Sequence, residues 1–74
     1  MQFFVSVGSK RNSQTFAKFE AKNFRDALKQ VTWKQVLVCK NAYENDGGKA
    51  DSVEVTSPSD KKYFTMEEAK KIIG

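Results

Sequence analysis

Two short N-terminal runs in which apolar and polar residues alternate constrain the fold more than any other feature. The first run, residues 1–8, places Phe3, Val5 and Val7 on every second position. The second run, residues 14–21, repeats the pattern, and a polar cluster, Gly8–Ser13, separates the two. Alternation with a period of two is typical of strands that bury one face. Two such runs joined by a short polar segment predict a β-hairpin.

This hairpin would separate its aromatic residues by face. A register in which the first run's Phe3 and Val5 lie opposite Ala17 and Phe19 leaves Phe4 and Phe16 together on the other face, because side chains alternate with period two. Two interpretations are open: the two phenylalanines are exposed on the outer surface of the sheet, or a helix covers them.

A helix is predicted after the hairpin. Asn23 is a good N-cap, and Asp26 follows three residues later. An apolar face then repeats at helical spacing, while Arg25 and Lys29 lie on the other side. The apolar face consists of Phe24, Ala27, Leu28 and Val31. We expect this helix to end at Thr32 and Trp33.

The next segment contains the longest apolar run of the chain, Val36–Cys39. A short apolar run of this kind is typical of a strand covered on both faces, so residues 35–43 are predicted to form the central strand of the sheet. In that strand Cys39 would be a buried and unreactive core residue. The segment Glu44–Lys49 contains Asp-Gly and Gly-Gly, which favour a hairpin turn into a further strand over residues 51–56.

The C-terminal part is predicted to contain a turn at Ser57–Asp60, a short strand over 62–64 and a second helix. Thr65 and Glu68 have the spacing of a capping box at the start of that helix. The whole pattern predicts one α+β domain over residues 1–74, with an antiparallel sheet of about five strands, two helices and the order ββαβββα.

The residue types needed for common catalytic sites are missing. The chain has no histidine and one cysteine, so Ser-His-Asp and Cys-His arrangements are excluded, and no glycine-rich phosphate loop occurs. We therefore expect a protein that is not an enzyme and that needs no cofactor or metal. The longest apolar stretch is far below the ~20 residues that cross a bilayer, and no basic leader precedes an apolar run, which favours a cytoplasmic location without membrane contact.

The charges are distributed unevenly along the chain. Residues 1–40 carry eight basic and two acidic side chains, whereas residues 41–74 carry five basic and seven acidic ones. A polarised surface steers charged partners, although scattered lysines also serve solubility alone. The residues predicted to bind a partner are Lys10, Arg11 and Lys18 of the hairpin, Arg25 and Lys29 of the helix, and the aromatic residues Phe4 and Phe16.

Two classes of partner fit this basic surface, and the sequence does not indicate an oligomeric state. The first is a protein with an acidic surface, bound by an adaptor or inhibitor of the kind that phages and mobile elements often encode. The alternative is nucleic acid, because cationic sheets with aromatic side chains hold single strands by stacking and phosphate neutralisation. Against nucleic acid stand the presence of only two arginines and the lack of a Gly-Phe-rich strand.

Overall fold

A computed structural model describes residues 1–74 and has the predicted α+β architecture, with four strands and three helices. The elements in chain order are β1 (Gln2–Gly8), β2 (Ser13–Glu20), α1 (Phe24–Lys29), α2 (Trp33–Asn45), β3 (Ser52–Thr56), β4 (Lys61–Thr65) and α3 (Met66–Ile73). All strand pairs are antiparallel, and the sheet order is β2-β1-β3-β4. The prediction of about five strands, two helices and the order ββαβββα is therefore wrong in detail.

The difference lies in the segment that follows α1. Residues 35–43, predicted as the central strand, belong to helix α2, and β1 and β3 occupy the centre of the sheet. The Thr32 hydroxyl accepts a hydrogen bond from the Gln35 backbone N–H at 3.2 Å, and the Gln35 side chain accepts one from the Thr32 N–H at 2.9 Å. This capping box satisfies two N–H groups that the first turn of a helix leaves unpaired, and it starts α2 here.

The predicted hairpin turn at Glu44–Lys49 is also absent. These residues form the end of α2 and the start of its connection to β3. Gly47 has a φ of +90°, and its N–H donates to the Glu44 carbonyl at 3.0 Å. A glycine with positive φ just beyond the last helical residue is a common way to end a helix. The Asp-Gly-Gly signal therefore marks a helix terminus instead of a hairpin.

The N-terminal hairpin forms as predicted, but it contains a β-bulge. Val5 pairs with Ala17 and Ser6 pairs with Thr15, so Phe16 is an extra residue of β2 without a partner on β1. A bulge of this kind interrupts the alternation of side chains between the two faces. Phe16 consequently packs against the core on the helix side and contacts α2. The prediction that Phe4 and Phe16 share a face is wrong.

A single hydrophobic core lies between the sheet and the helices. Phe3 of β1 meets Phe24 of α1 edge to face, with 5.1 Å between the ring centroids. All three helices contribute to this core, so they cover one face of the sheet and leave the other uncovered. The buried members are Phe3, Val5, Val7, Ala27, Leu28, Val31, Val36, Val53, Val55, Phe64 and Ala69.

The predicted caps of α1 and α3 and the turn at Ser57–Asp60 are confirmed, but α1 ends at Lys29 and not at Thr32 and Trp33, which begin α2. The Asn23 side chain accepts a hydrogen bond from the Asp26 N–H at 2.8 Å and caps α1. The Ser57 N–H donates to the Asp60 carbonyl at 2.7 Å and closes the predicted turn. Glu68 completes the capping box of α3, and the hydrogen bond from the Thr65 backbone N–H lowers the pKa of its carboxyl group. None of the helices is both long and apolar enough to cross a membrane.

Candidate binding surfaces

The seven residues predicted to bind a partner do not form one surface. Lys10 and Arg11 lie in the loop between β1 and β2, at one end of the sheet. Arg25 and Lys29 are exposed on α1, which follows the opposite end of the hairpin and packs on the helix side. Seven strand residues at about 3.3 Å each place roughly 20 Å between these two ends. The basic N-terminal half is thus split between distant parts of the molecule.

The uncovered side of the sheet, here called the open face, carries Phe4 and Lys18 together. Phe4 pairs with Lys18 of β2 and with Thr56 of β3, and Thr56 pairs with Lys61 of β4. Residues directly opposite in neighbouring strands point to the same side of a sheet. Lys18, Phe4, Thr56 and Lys61 therefore form one row across the sheet. Phe4 is 38% exposed, and the Lys18 ammonium lies 5.6 Å from the centroid of its ring.

A second row on the open face lies nearer to the β1–β2 loop. The Ser6 and Thr15 hydroxyls are hydrogen-bonded at 2.9 Å, and Glu54 of β3 pairs with Tyr63 of β4. The ammonium of Lys10 reaches back from the loop to within 6.0 Å of the Tyr63 ring centroid. This contact orients Lys10 toward the open face. The position of Tyr63 on this face was not predicted from the sequence.

A wide groove of about 620 Å³ lies between the β1–β2 loop and the start of α3. Its cationic side chains are Lys10, Arg11 and Lys49, and its acidic ones are Asp51 and Glu68. The five charged residues are exposed. Because the groove contains both cations and acids, it does not select a ligand of either sign. In this groove the loop cations lie next to Tyr63 and the open face.

Two exposed apolar side chains lie on the other side of the molecule, on α2. Leu37 is 40% exposed and Val38 is 60% exposed. Val38 borders a groove of about 380 Å³ between α2 and β2, here called the α2–β2 groove. Its walls consist of Phe16, Thr32, Lys34, Gln35, Val38, Cys39 and Ala42. Exposed apolar surface beside a groove is typical of protein interaction sites.

Sequence reasoning missed the α2–β2 groove because it placed the run Val36–Cys39 in a buried strand. One signal for the helix was present, since Thr32 and Gln35 have the spacing of a capping box. Cys39 lies on the wall of this groove and is half-buried, so the prediction of a fully buried strand cysteine is wrong. Burial raises the pKa of its thiol, which disfavours the reactive thiolate.

Neither metal-binding clusters nor related proteins add to these observations. No group of three or more Cys, Asp or Glu side chains is arranged to hold a metal ion. Comparisons of the chain with protein-family models, with curated proteins and with solved structures find no match. Phe4 is exposed on the open face, and Val38 is exposed beside the α2–β2 groove.

Proposed function

We propose that the chain is a non-enzymatic protein-binding domain of the adaptor or inhibitor type, and that it holds an extended segment of a partner in the α2–β2 groove. The observation that carries this proposal is the exposure of Val38 beside Phe16 along an edge of the sheet. An apolar side chain left in water gains stability when a partner covers it, at about 25 cal/mol per Å². A complex in which a partner segment fills the groove is therefore stabilised by the burial of this apolar surface.

The edge strand β2 favours an extended segment as the occupant. β2 has eight residues and only β1 as a neighbour, so the backbone groups of its outer side have no strand partner. The other edge strand, β4, has five residues and begins with two lysines, features that discourage strand addition, whereas the bulge at Phe16 leaves the regular part of β2 from Ala17 to Glu20 for pairing. A peptide that pairs with β2 obtains main-chain hydrogen bonds from the strand and apolar contacts from the groove.

The charge of the groove indicates the chemistry of the partner. Lys34 is the only charged residue of its walls, and it forms no ion pair within the chain. The chain as a whole carries a net charge of +4. The segment that fits is therefore extended, with a large apolar side chain for the groove and acidic residues beside it. Complementary charges of this kind also accelerate association.

Selection from a random peptide library displayed on phage tests this proposal. We expect enrichment of peptides with an apolar residue flanked by Asp or Glu. Val38→Glu should weaken their binding at least about tenfold, because it places a charge at the mouth of the groove. Asn41→Glu is the matched control, since it adds the same charge at an exposed position of α2 outside the groove walls.

The control decides between a specific site and a general charge effect. Binding that is retained by Asn41→Glu and lost in Val38→Glu supports the α2–β2 groove as the site. If no peptide is enriched, or if the two variants bind equally, the groove is not a peptide site and the proposed function is wrong.

A further inference from the structure

We propose that the open face is a second binding site and that its ligand is single-stranded nucleic acid. In this arrangement a base stacks on Phe4, and the phosphates contact the cations around it. This goes beyond the binding of a protein segment, because it uses the side of the sheet opposite to the helices that form the α2–β2 groove. The two sites do not share a side chain.

The first support is the position of Phe4. It lies on β1, one of the two central strands, on the side that no helix covers, and it is 38% exposed. Aromatic side chains on an open sheet are stacking platforms for unpaired bases, because every base has a flat apolar face. A base paired within a duplex is stacked on both sides and does not offer that face. The geometry therefore selects single strands.

The second support is a set of cations at the margins of the open face. Lys18 and Lys61 end the row through Phe4 on its two sides, about 14 Å apart for strands spaced at roughly 4.8 Å. Lys10 and Arg11 stand at the loop end of the same face, where Lys10 contacts Tyr63. None of these four cations is in an ion pair with an acidic side chain. They are free to neutralise phosphates.

Four acidic groups lie on or beside the open face: Asp51 and Glu68 share the wide groove with Lys10 and Arg11, and Glu20 and Glu54 lie on the sheet itself. Glu20 forms an ion pair with the N-terminal ammonium at 2.6 Å, which offsets its charge. Glu54 lies nearer the middle of the sheet and accepts a hydrogen bond from the Thr56 hydroxyl at 3.0 Å. Cations at the margins and an acid near the centre suit a ligand whose phosphates run along the margin and whose bases point inward.

A protein partner fits the open face less well than nucleic acid does. Phe4 is the only large apolar residue exposed on this face, whereas the centres of protein interfaces are apolar and poor in charged residues. The exposed apolar side chains Leu37 and Val38 lie on the helix side instead. Charge complementarity with a phosphate backbone is what the open face offers.

Fluorescence anisotropy with labelled oligothymidine and oligouridine tests the proposal, with oligomers of about 12 nucleotides that match the site sizes of sheet proteins. Phe4→Leu keeps an apolar side chain but removes the aromatic ring, and we expect it to weaken binding at least about fivefold. Phe4→Tyr retains the ring and should bind as the unaltered protein does. This pair separates the loss of stacking from a loss of folding, which circular dichroism checks in both variants.

Two matched charge reversals locate the phosphate contacts. Lys10→Glu with Arg11→Glu should weaken binding and reduce the slope of log affinity against log salt by about 1.4, at about 0.7 per phosphate contact on single strands. Arg25→Glu with Lys29→Glu makes the same change of net charge on the helix side. This second pair should leave both affinity and slope close to those of the unaltered protein.

Each other outcome overturns the proposal. It is wrong if no binding occurs up to about 100 µM protein, the weak end of non-specific affinities. Equal binding of a duplex of the same length excludes stacking on Phe4. Equal weakening by the two charge reversals shows that net charge alone drives binding. The peptide selection above is independent of these results, so either site is rejected without the other.

Discussion

A β-bulge determines the face of the sheet on which Phe16 lies. Alternation predicts that Phe16 and Phe4 lie on the same side of the sheet. The two residues would lie on the same side if β2 had no bulge. The extra residue in β2 moves Phe16 to the helix side, while Phe4 stays on the open face. Nothing in a period-two pattern indicates where a bulge occurs, because the pattern fixes the side chains only relative to an uninterrupted ladder.

Cys39 provides a residue-level test of the α2–β2 groove. Because its thiol is half-buried and burial raises its pKa, little thiolate is present near neutral pH. We expect slow labelling by a maleimide in the native protein and fast labelling in denaturant. The native rate should rise with pH, as the thiolate fraction increases. Rapid stoichiometric labelling of native protein at neutral pH would contradict the burial of the Cys39 thiol.

At the scale of elements, the sequence predicts most of the fold because its strands and two of its helices carry local signals. The alternating runs give β1, β2 and β3, and the capped apolar faces give α1 and α3. α2 was missed because a short apolar run is compatible with either a buried strand or a helix. Four consecutive residues cover a full turn at 3.6 residues per turn, so a helix that packs on one side only cannot bury them all. Leu37 and Val38 remain outside for this reason.

The capping box of α2 provides a test at the same scale. Thr32→Ala removes the hydroxyl that accepts the Gln35 N–H, and we expect a loss of about 1 kcal/mol in the free energy of unfolding. Thr32→Ser retains a hydroxyl at the same place and should be close to the unaltered protein. Urea denaturation followed by circular dichroism measures both. If Thr32→Ser and Thr32→Ala lower the free energy of unfolding equally, the hydroxyl does not stabilise the start of α2.

At the scale of the whole molecule, the sheet decides which charges act together. The excess of basic residues in the first forty positions is real, but folding distributes it over two faces and two ends of the sheet. Lys18 lies beside Phe4, and Lys10 and Arg11 stand at the loop end of the open face, whereas Arg25 and Lys29 are on α1. A candidate site read from positions along the chain cannot show this, because only the pairing of strands brings Lys61 and Tyr63 of β4 to the same face. The local signals in the sequence do not contain this long-range pairing of strands.

The last prediction concerns the stability of the whole domain. Leu28 is fully buried in the one core to which all three helices contribute, so Leu28→Ala removes contacts shared by the helices and the sheet. We expect a loss of about 2–5 kcal/mol, a large part of what a domain of this size possesses. Leu37→Ala is the matched control: it makes the same chemical change at a leucine that is 40% exposed on α2, and it should cost much less. Urea unfolding followed both by circular dichroism and by the fluorescence of Trp33, which packs against the core, should give coincident midpoints for each variant. Equal losses for the two variants, or separate midpoints for the two signals, would show that the helices and the sheet do not share a single cooperative core.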